Sequence, residues 1–229
     1  MDTIFRFLNW SGGKDAALAL WVLQKKGIEV NALLTTFNEH SKTIPLHEIP
    51  IDLIEAQANA LRLPLIKIGL PTNCSNETYN DIMLSELGNL APDQHKVAVF
   101  GDIFLEDVHD YREQQLNKLG IDSAFPLWQS NTKELAETFI NQGFQAIICS
   151  ANAKIFPKNI IGKIYDKQFL ASLPSGIDSF GENGEFHSFV FDGPIFEKPL
   201  AFPTIQDIKS MNYGKPNSGY EQRFYYAGL

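Results

Sequence analysis

The segment Ile4-Phe5-Arg6-Phe7-Leu8-Asn9-Trp10 is almost continuously apolar, which predicts a strand buried on both faces. Ala16-Ala17-Leu18-Ala19-Leu20-Trp21-Val22-Leu23 reads as the opening of a helix. Val30 to Phe37 reads as a second strand. Ile51 to Leu61 carries apolar residues at helical spacing, Ile51, Ile54, Ala58 and Leu61. Pro64 to Ile68 is a short third strand, and Asn76 to Leu90 a helix with Glu77 in its first turn. Lys96 to Phe100 is a fourth strand that ends at Gly101-Asp102. Val108 to Leu119 follows as a helix, with Gly120 as its stop. This alternation predicts an α/β fold, a parallel Rossmann-like sheet with helices on both faces. Ligands of such sheets bind beyond the C-terminal strand ends. The loops after Trp10, Phe37 and Phe100 are therefore expected to line one site.

From Pro126-Leu127-Trp128 onward the pattern changes. Thr132 to Gln142 reads as a helix and Ala146 to Cys149 as a short buried strand. Gly162, Pro174, Gly176, Gly181, Gly184, Gly193 and Pro194 then cut the chain into short pieces. A boundary near residue 129 is expected, separating a first unit, 1–128, from a smaller α+β unit, 129–229. The stretch Lys209 to Leu229, rich in Tyr, Asn and Gly, is expected to be a loosely attached tail.

A formal charge of −8 over 229 residues argues against a general nucleic-acid binder, so no direct nucleic-acid contact is expected. The two cysteines, Cys74 and Cys149, lack metal-ligand spacing and read as reduced structural thiols. No apolar run approaches the roughly 20 residues of a membrane span. The chain enters a predicted strand at once, so no secretion signal is expected and a cytoplasmic location follows by default.

Chemistry concentrates first at Ser11-Gly12-Gly13-Lys14-Asp15, between a predicted strand and a predicted helix. A Ser-Gly-Gly turn there presents backbone N–H groups to one small volume, and the helix dipole favours an anion. Lys14 adds a mobile positive charge. Adjacent glycines and the lack of Ser or Thr after Lys14 exclude a Walker A loop, and the dinucleotide fingerprint is absent. The loop instead resembles the pyrophosphate loop of the N-type ATP pyrophosphatases. That resemblance implies that ATP is split between its α- and β-phosphates. It makes Ser11, Gly12, Gly13, Lys14 and Asp15 the phosphate loop, with Asp15 helping to hold Mg²⁺. Where the family commonly has Ser, this chain has Ala16.

Three further clusters add candidates. Gly101-Asp102 ends a predicted strand on the loop's face, and Asp102 can bind a metal or a nucleotide group, or cap the next turn. Arg112 and Glu113 follow on the next helix, where Arg112 can face a phosphate, an acidic substrate or solvent. Gly181-Glu182-Asn183-Gly184-Glu185-Phe186-His187-Ser188 sets carboxylates between glycines ahead of an alternating strand. Glu182 and Glu185 can grip a cationic substrate, bind Mg²⁺ or move protons; a polar hairpin turn with solvated acids is the plainer reading. His47 lies in the loop after the second strand.

Taken together these motifs resemble the diphthine–ammonia ligase family, from about Phe7 to Phe196. The resemblance rests on the first loop, His47, Gly101-Asp102-Ile103, Arg112-Glu113, Leu119-Gly120, Pro126-Leu127-Trp128 and Gly181 to Pro194. It implies an adenine-nucleotide α-hydrolase-like ATP-binding domain over 1–128 and a substrate-binding domain over 129–229. The activity implied is an amide ligase that uses ATP and Mg²⁺ to adenylate a carboxylate, releases pyrophosphate, and lets ammonia displace AMP. Lys14, Asp15, Glu182 and Glu185 would be catalytic. His47, Arg112, Glu113, Glu182, Asn183, Gly184, Glu185 and His187 would face substrate, Gly101 and Asp102 the nucleotide, and Asp15 and Asp102 the metal. The acceptor would be diphthine on translation elongation factor 2 for an archaeal or eukaryotic source. A homo-oligomer is compatible with the sequence. Two other readings stay open: an ATP pyrophosphatase for another substrate, such as a tRNA base or an unknown bacterial carboxylate, and a non-catalytic nucleotide-binding protein.

Overall fold

The computed structural model describes residues 4–213 and 222–229. Its first half alternates β1 (Ile4–Asn9), α1 (Lys14–Lys25), β2 (Ala32–Asn38), α2 (Ile51–Leu61), β3 (Leu65–Leu70), α3 (Asn76–Asn89), β4 (His95–Val99), α4 (Glu106–Asn117) and β5 (Asp122–Ala124). The strands form a parallel sheet in the order β3-β2-β1-β4-β5. The order reverses at β1, which lies between β2 and β4. The loops after β1 and β4 therefore part there and open a crevice above the strand ends. Helices α1 and α2 pack on one face and α3 and α4 on the other, as the Rossmann-like expectation requires.

The second half adds α5 (Thr132–Asn141), β6 (Gln145–Asn152), a 3₁₀ turn (Lys158–Ile160), α6 (Lys167–Ala171), β7 (Phe186–Asp192), β8 (Asp207–Tyr213) and β9 (Gln222–Gly228). Its strands form an antiparallel sheet in the order β7-β6-β9-β8. The position expected as a boundary, near residue 129, falls between β5 and α5. Buried residues on its two sides nevertheless join one core that runs from Leu8 to Ala227.

Helix α1 explains that continuity. It touches both β1 and β7, and Ala16, Ala17, Leu18, Ala19, Leu20 and Leu23 are all buried. A helix apolar around most of its circumference has to be covered on opposite sides, and here each sheet covers one.

The expectation of a loose tail is corrected. Strand β9 is an interior strand that pairs Ser150 with Tyr226 and Asn152 with Phe224, and it buries Phe224, Tyr226 and Ala227. Aromatic residues on alternate positions favour a half-buried strand, a signal hidden by the polar composition of the surrounding stretch. Residues 214–221 of that stretch lie outside those described.

The two sheets are also joined by polar bonds through Gln57, which is wholly buried. Its Oε1 accepts from Trp10 Nε1 at 2.8 Å. Its Nε2 donates to the Gly12 carbonyl at 3.0 Å and to the Val190 carbonyl of β7 at 2.6 Å. Val190 N donates in turn to the Gly12 carbonyl at 3.0 Å. A Gln57→Leu substitution strands the buried Trp10 Nε1 and the Val190 carbonyl, while the Gly12 carbonyl keeps the Val190 N–H. It is expected to cost about 2–4 kcal/mol in urea denaturation, and a loss below about 0.5 kcal/mol would show that the amide holds nothing together.

Candidate active site

Gly12 has φ +79°, a conformation open to glycine at little cost, and a Cβ there would lie 2.6 Å from Ile54 Cδ1 and 2.8 Å from Gln57 Oε1. The turn is therefore pressed against α2, and the chain then enters α1. No side chain caps α1 at Gly13. The Lys14 N–H donates to Ser188 Oγ of β7 at 3.1 Å, and the Gly13 N–H reaches Ser11 Oγ at 3.4 Å. The loop after β4 closes in from the other side. A Cβ on Gly101 would lie 2.8 Å from the Asp15 carbonyl carbon and 3.0 Å from Ala16 N, so only glycine lets this loop approach the first turn of α1 so closely.

These loops border a cleft of about 870 Å³. Its wall includes Ser11, Lys14, Asp15, His47, Gly101, Asp102, Arg112, Glu182, Asn183, Gly184 and His187. Residues separated by more than 170 positions in the chain thus meet across one space. Gly12 and Gly13 lie behind the loop rather than on the wall, and their work is close packing.

Several expectations change. Lys14 is not a mobile surface charge; it is 2 % exposed. Its Nζ sits 2.9 and 3.2 Å from the two carboxylate oxygens of Asp15. It also lies 4.6 Å from the Phe180 ring centre and 5.5 Å from that of Phe186. Aromatic faces and one carboxylate thus fix the ammonium in place. Glu185 does not face the cleft. It is buried, and its oxygens accept from Asp178 N at 3.1 Å, Asn183 N at 2.9 Å and Asn183 Nδ2 at 3.1 Å. Those bonds spend its charge on shaping the 178–185 loop, which carries Glu182 to the wall. Glu113 also stands away from the cleft, where it accepts from Ser123 Oγ at 3.2 Å.

Other residues at or behind the cleft wall were not anticipated. Trp10 and Gln57 support the loop from beneath, and Phe180 holds Lys14. Thr35, in the middle of β2, is buried with its hydroxyl unpaired at the cleft. Gln57 had a sequence signal: it is a polar residue on the apolar face of α2, three positions after Ile54. Phe180 had none.

Two matches to family models follow the same layout. Residues 6–123 match the diphthamide synthase N-terminal domain and residues 131–215 the diphthamide synthase C-terminal domain. The chain belongs to the diphthamide synthase family. A diphthine–ammonia ligase of Bos taurus is 25 % identical over 214 residues, covering 83 % of this chain and 79 % of that protein. That of Homo sapiens gives the same identity and coverage. One from Schizosaccharomyces pombe is 27 % identical over 210 residues, 83 % of this chain but 34 % of that longer protein. Among the described residues, no helix is long and apolar enough to cross a membrane.

In this member of the diphthamide synthase family the cleft is acid-rich, with Asp15, Asp102 and Glu182 on its wall. Burial chiefly raises the pKa of Asp102, with Arg112 opposing and Asp15 adding to the rise. Arg112 Nε lies 3.2 Å from Asp102 Oδ2, yet off the hydrogen-bonding direction, so that buried oxygen has a charge partner and no hydrogen bond. The guanidinium also stacks 4.2 Å from the Phe100 ring centre. Burial, then Asp15, pushes Glu182 up to about 8. His47 and His187 lie against each other with ring centres 4.6 Å apart and planes tilted by 46°. Burial chiefly lowers the pKa of both, so each is a neutral imidazole at pH 7.

The folded pKa of Glu182 lies above the unfolded one, so the folded state loses stability as pH rises from about 4.5 toward 8. Glu182→Gln mimics the protonated form. It is expected to raise Tm by roughly 3 °C or more at pH 8.5 and to leave it unchanged near pH 4. A Tm increase equal at both pH values would remove the assigned cause.

Proposed function

We propose that this protein is an ATP-dependent ligase that adenylates a carboxylate and transfers it to ammonia, forming AMP and pyrophosphate. The observation that carries this reading is the convergence of one fixed ammonium, Lys14, with Asp15, Asp102, Arg112 and Glu182 in one cleft at the strand-order switch. Two neutral imidazoles stand on the same wall. The curated relatives named diphthine–ammonia ligase support the ligase class and ammonia as co-substrate.

The chemistry takes two steps. A carboxylate oxygen attacks the α-phosphorus of ATP, the bond to the β-phosphate oxygen breaks, and pyrophosphate leaves. Ammonia nitrogen then attacks the carbonyl carbon, the bond to the AMP oxygen breaks, and the nitrogen gives up a proton. Lys14 is placed to stabilise charge that grows on the departing pyrophosphate. Because Lys14 is buried and its position fixed, that interaction costs little reorganisation. His47 and His187, neutral at pH 7, can take the proton released by nitrogen, and Glu182 can orient the nitrogen.

The donor set suits Mg²⁺. Asp15 and Asp102 would hold it, with Glu182 in reach, and the orphaned buried oxygen of Asp102 is the kind of group a cation satisfies. Among the described residues no three His, Cys, Asp or Glu side chains form a ready-made metal cage, and Mg²⁺ ordinarily needs only one or two carboxylates plus phosphate oxygens. Bound there, the ion would draw charge from the triphosphate. Diphthine on a translation factor, the acceptor implied by the relatives' name, is one carboxylate of the class.

The test is product analysis with α-labelled ATP, Mg²⁺, ammonium and a panel of carboxylates. AMP and pyrophosphate in equal amounts, dependent on a carboxylate, are expected. Lys14→Met, which keeps the buried stem, should lower kcat about 10²–10³-fold. ADP as the sole product, or no nucleotide cleavage with any carboxylate, would contradict the reading.

A further inference from the structure

Helices α3 and α4 lie side by side, tied by the Tyr111 hydroxyl, which donates to Asn80 Oδ1 at 2.7 Å. Their outer surface collects most of the chain's charge. Helix α3 carries Glu77, Asp81 and Glu86 and no basic residue, and α4 carries Glu106, Asp107, Asp110 and Glu113 against Arg112. Seven acids less one arginine leave the pair six negative charges, out of a net −8 for the chain. All of the acids but Glu113 are exposed, whereas Arg112 is turned inward to Asp102 and Phe100. Among the described residues no lysine or arginine pairs with any of the seven; Asp110 and Glu113 meet His109 alone. The helix dipole accounts for Glu77, Glu106 and Asp107, which stand in first turns. It does not account for Asp81, Glu86, Asp110 and Glu113. Asp81 follows Glu77, and Asp110 follows Glu106, at the four-residue spacing where like charges oppose a helix. That spacing suits a partner of opposite charge.

A second observation falls on the same helices. Phe104 is 37 % exposed, Leu105 40 % and Tyr111 39 %, three of the seven large apolar side chains that stand exposed among the described residues. With Val108 they follow one helical stripe beside the acids. Leu105 and Val108 also line the main cleft, so the stripe runs from the acidic surface into the cleft mouth.

The charge selects the occupant. Nucleic acid and anionic lipid are repelled. A second copy seated through the same face would set acids against acids. Among the described residues no three His, Cys, Asp or Glu side chains form a cage for a cation. A basic polypeptide with an apolar side chain satisfies both the acids and the stripe. We infer that the outer face of α3 and α4 is the docking surface for the acceptor protein. A Lys/Arg-rich segment of that protein lies on the acids, an apolar side chain sits on Phe104, Leu105 and Tyr111, and the acceptor carboxylate enters the adjoining cleft. This inference rests on the ligase reading, with the carboxylate borne by a translation factor; proteins that meet RNA carry basic faces.

The probes are elongation factor 2 carrying diphthine and the same factor with its histidine unmodified, each titrated against the whole chain. Both should bind, the unmodified form more weakly, and both should lose about tenfold in affinity between about 50 and about 300 mM salt. The triple variant Asp81→Lys/Glu86→Lys/Asp110→Lys should weaken both by about tenfold and flatten the salt dependence. Glu29→Lys/Glu134→Lys/Glu137→Lys makes the same charge change at exposed sites elsewhere and should alter either by less than about twofold. Phe104→Ser should weaken the factor and leave the salt dependence as it was. ATP affinity should stay within about twofold in every variant, which also shows that each has folded. The inference is overturned if neither form of the factor binds at low salt, or if the two triple variants weaken it equally. Self-association that the first triple variant abolishes would assign the face to a second copy and overturn it too. The ligase reading fails separately: binding as described without AMP formation on any acceptor keeps the surface and removes the reaction. AMP formed on a free carboxylate, with neither form of the factor bound, does the reverse.

Discussion

The site depends on one buried amide. Gln57 binds Trp10 on the strand side, the Gly12 carbonyl in the loop and the Val190 carbonyl on β7. With the Val190 N–H also on Gly12, and Ser188 Oγ on the Lys14 N–H, the early glycine turn is held by both sheets at once. A loop of this composition, left to itself, would sample many conformations, and ordering it costs about 1–2 kcal/mol per residue. Here that ordering is part of folding, so the turn is already shaped before a ligand arrives. The second sheet is thus a structural half of the candidate site.

The same contact sets the electrostatics. Phe180 and Phe186 come from the second half of the chain and enclose an ammonium from the first. Glu185, from inside the same segment, gives its carboxylate to the loop that positions Glu182. The result is a cation held rigidly beside acids that are reluctant to ionise. On the proposed reading, a polyphosphate and its counter-cation would meet the ammonium and the acids together.

Much of this was legible from the residues. The β–α alternation, the sheet type and the loop at the first crossover follow from apolar runs and glycine positions, and the motifs that mark the cleft were present as local strings. Contacts that depend on pairing across the chain were not legible. Nothing near Glu185 in sequence says that its oxygens turn inward, because the donors Asp178 N and Asn183 N acquire that direction only from the loop's fold. Lys14 looked like a surface residue because Phe180 is remote in sequence. The tail looked loose because its composition is polar on average, while the alternation of Phe224 and Tyr226 is what docks it on β6.

A crystal structure with Mg²⁺ and an ATP analogue carrying a methylene bridge between its α- and β-phosphorus atoms tests the central claim most directly. The account predicts the β- and γ-phosphates against the 11–15 turn, with Lys14 Nζ about 3 Å from a phosphate oxygen and the Gln57 bonds unchanged. A nucleotide bound elsewhere, or a turn that must break from Val190 and Ser188 before phosphate can enter, would contradict it.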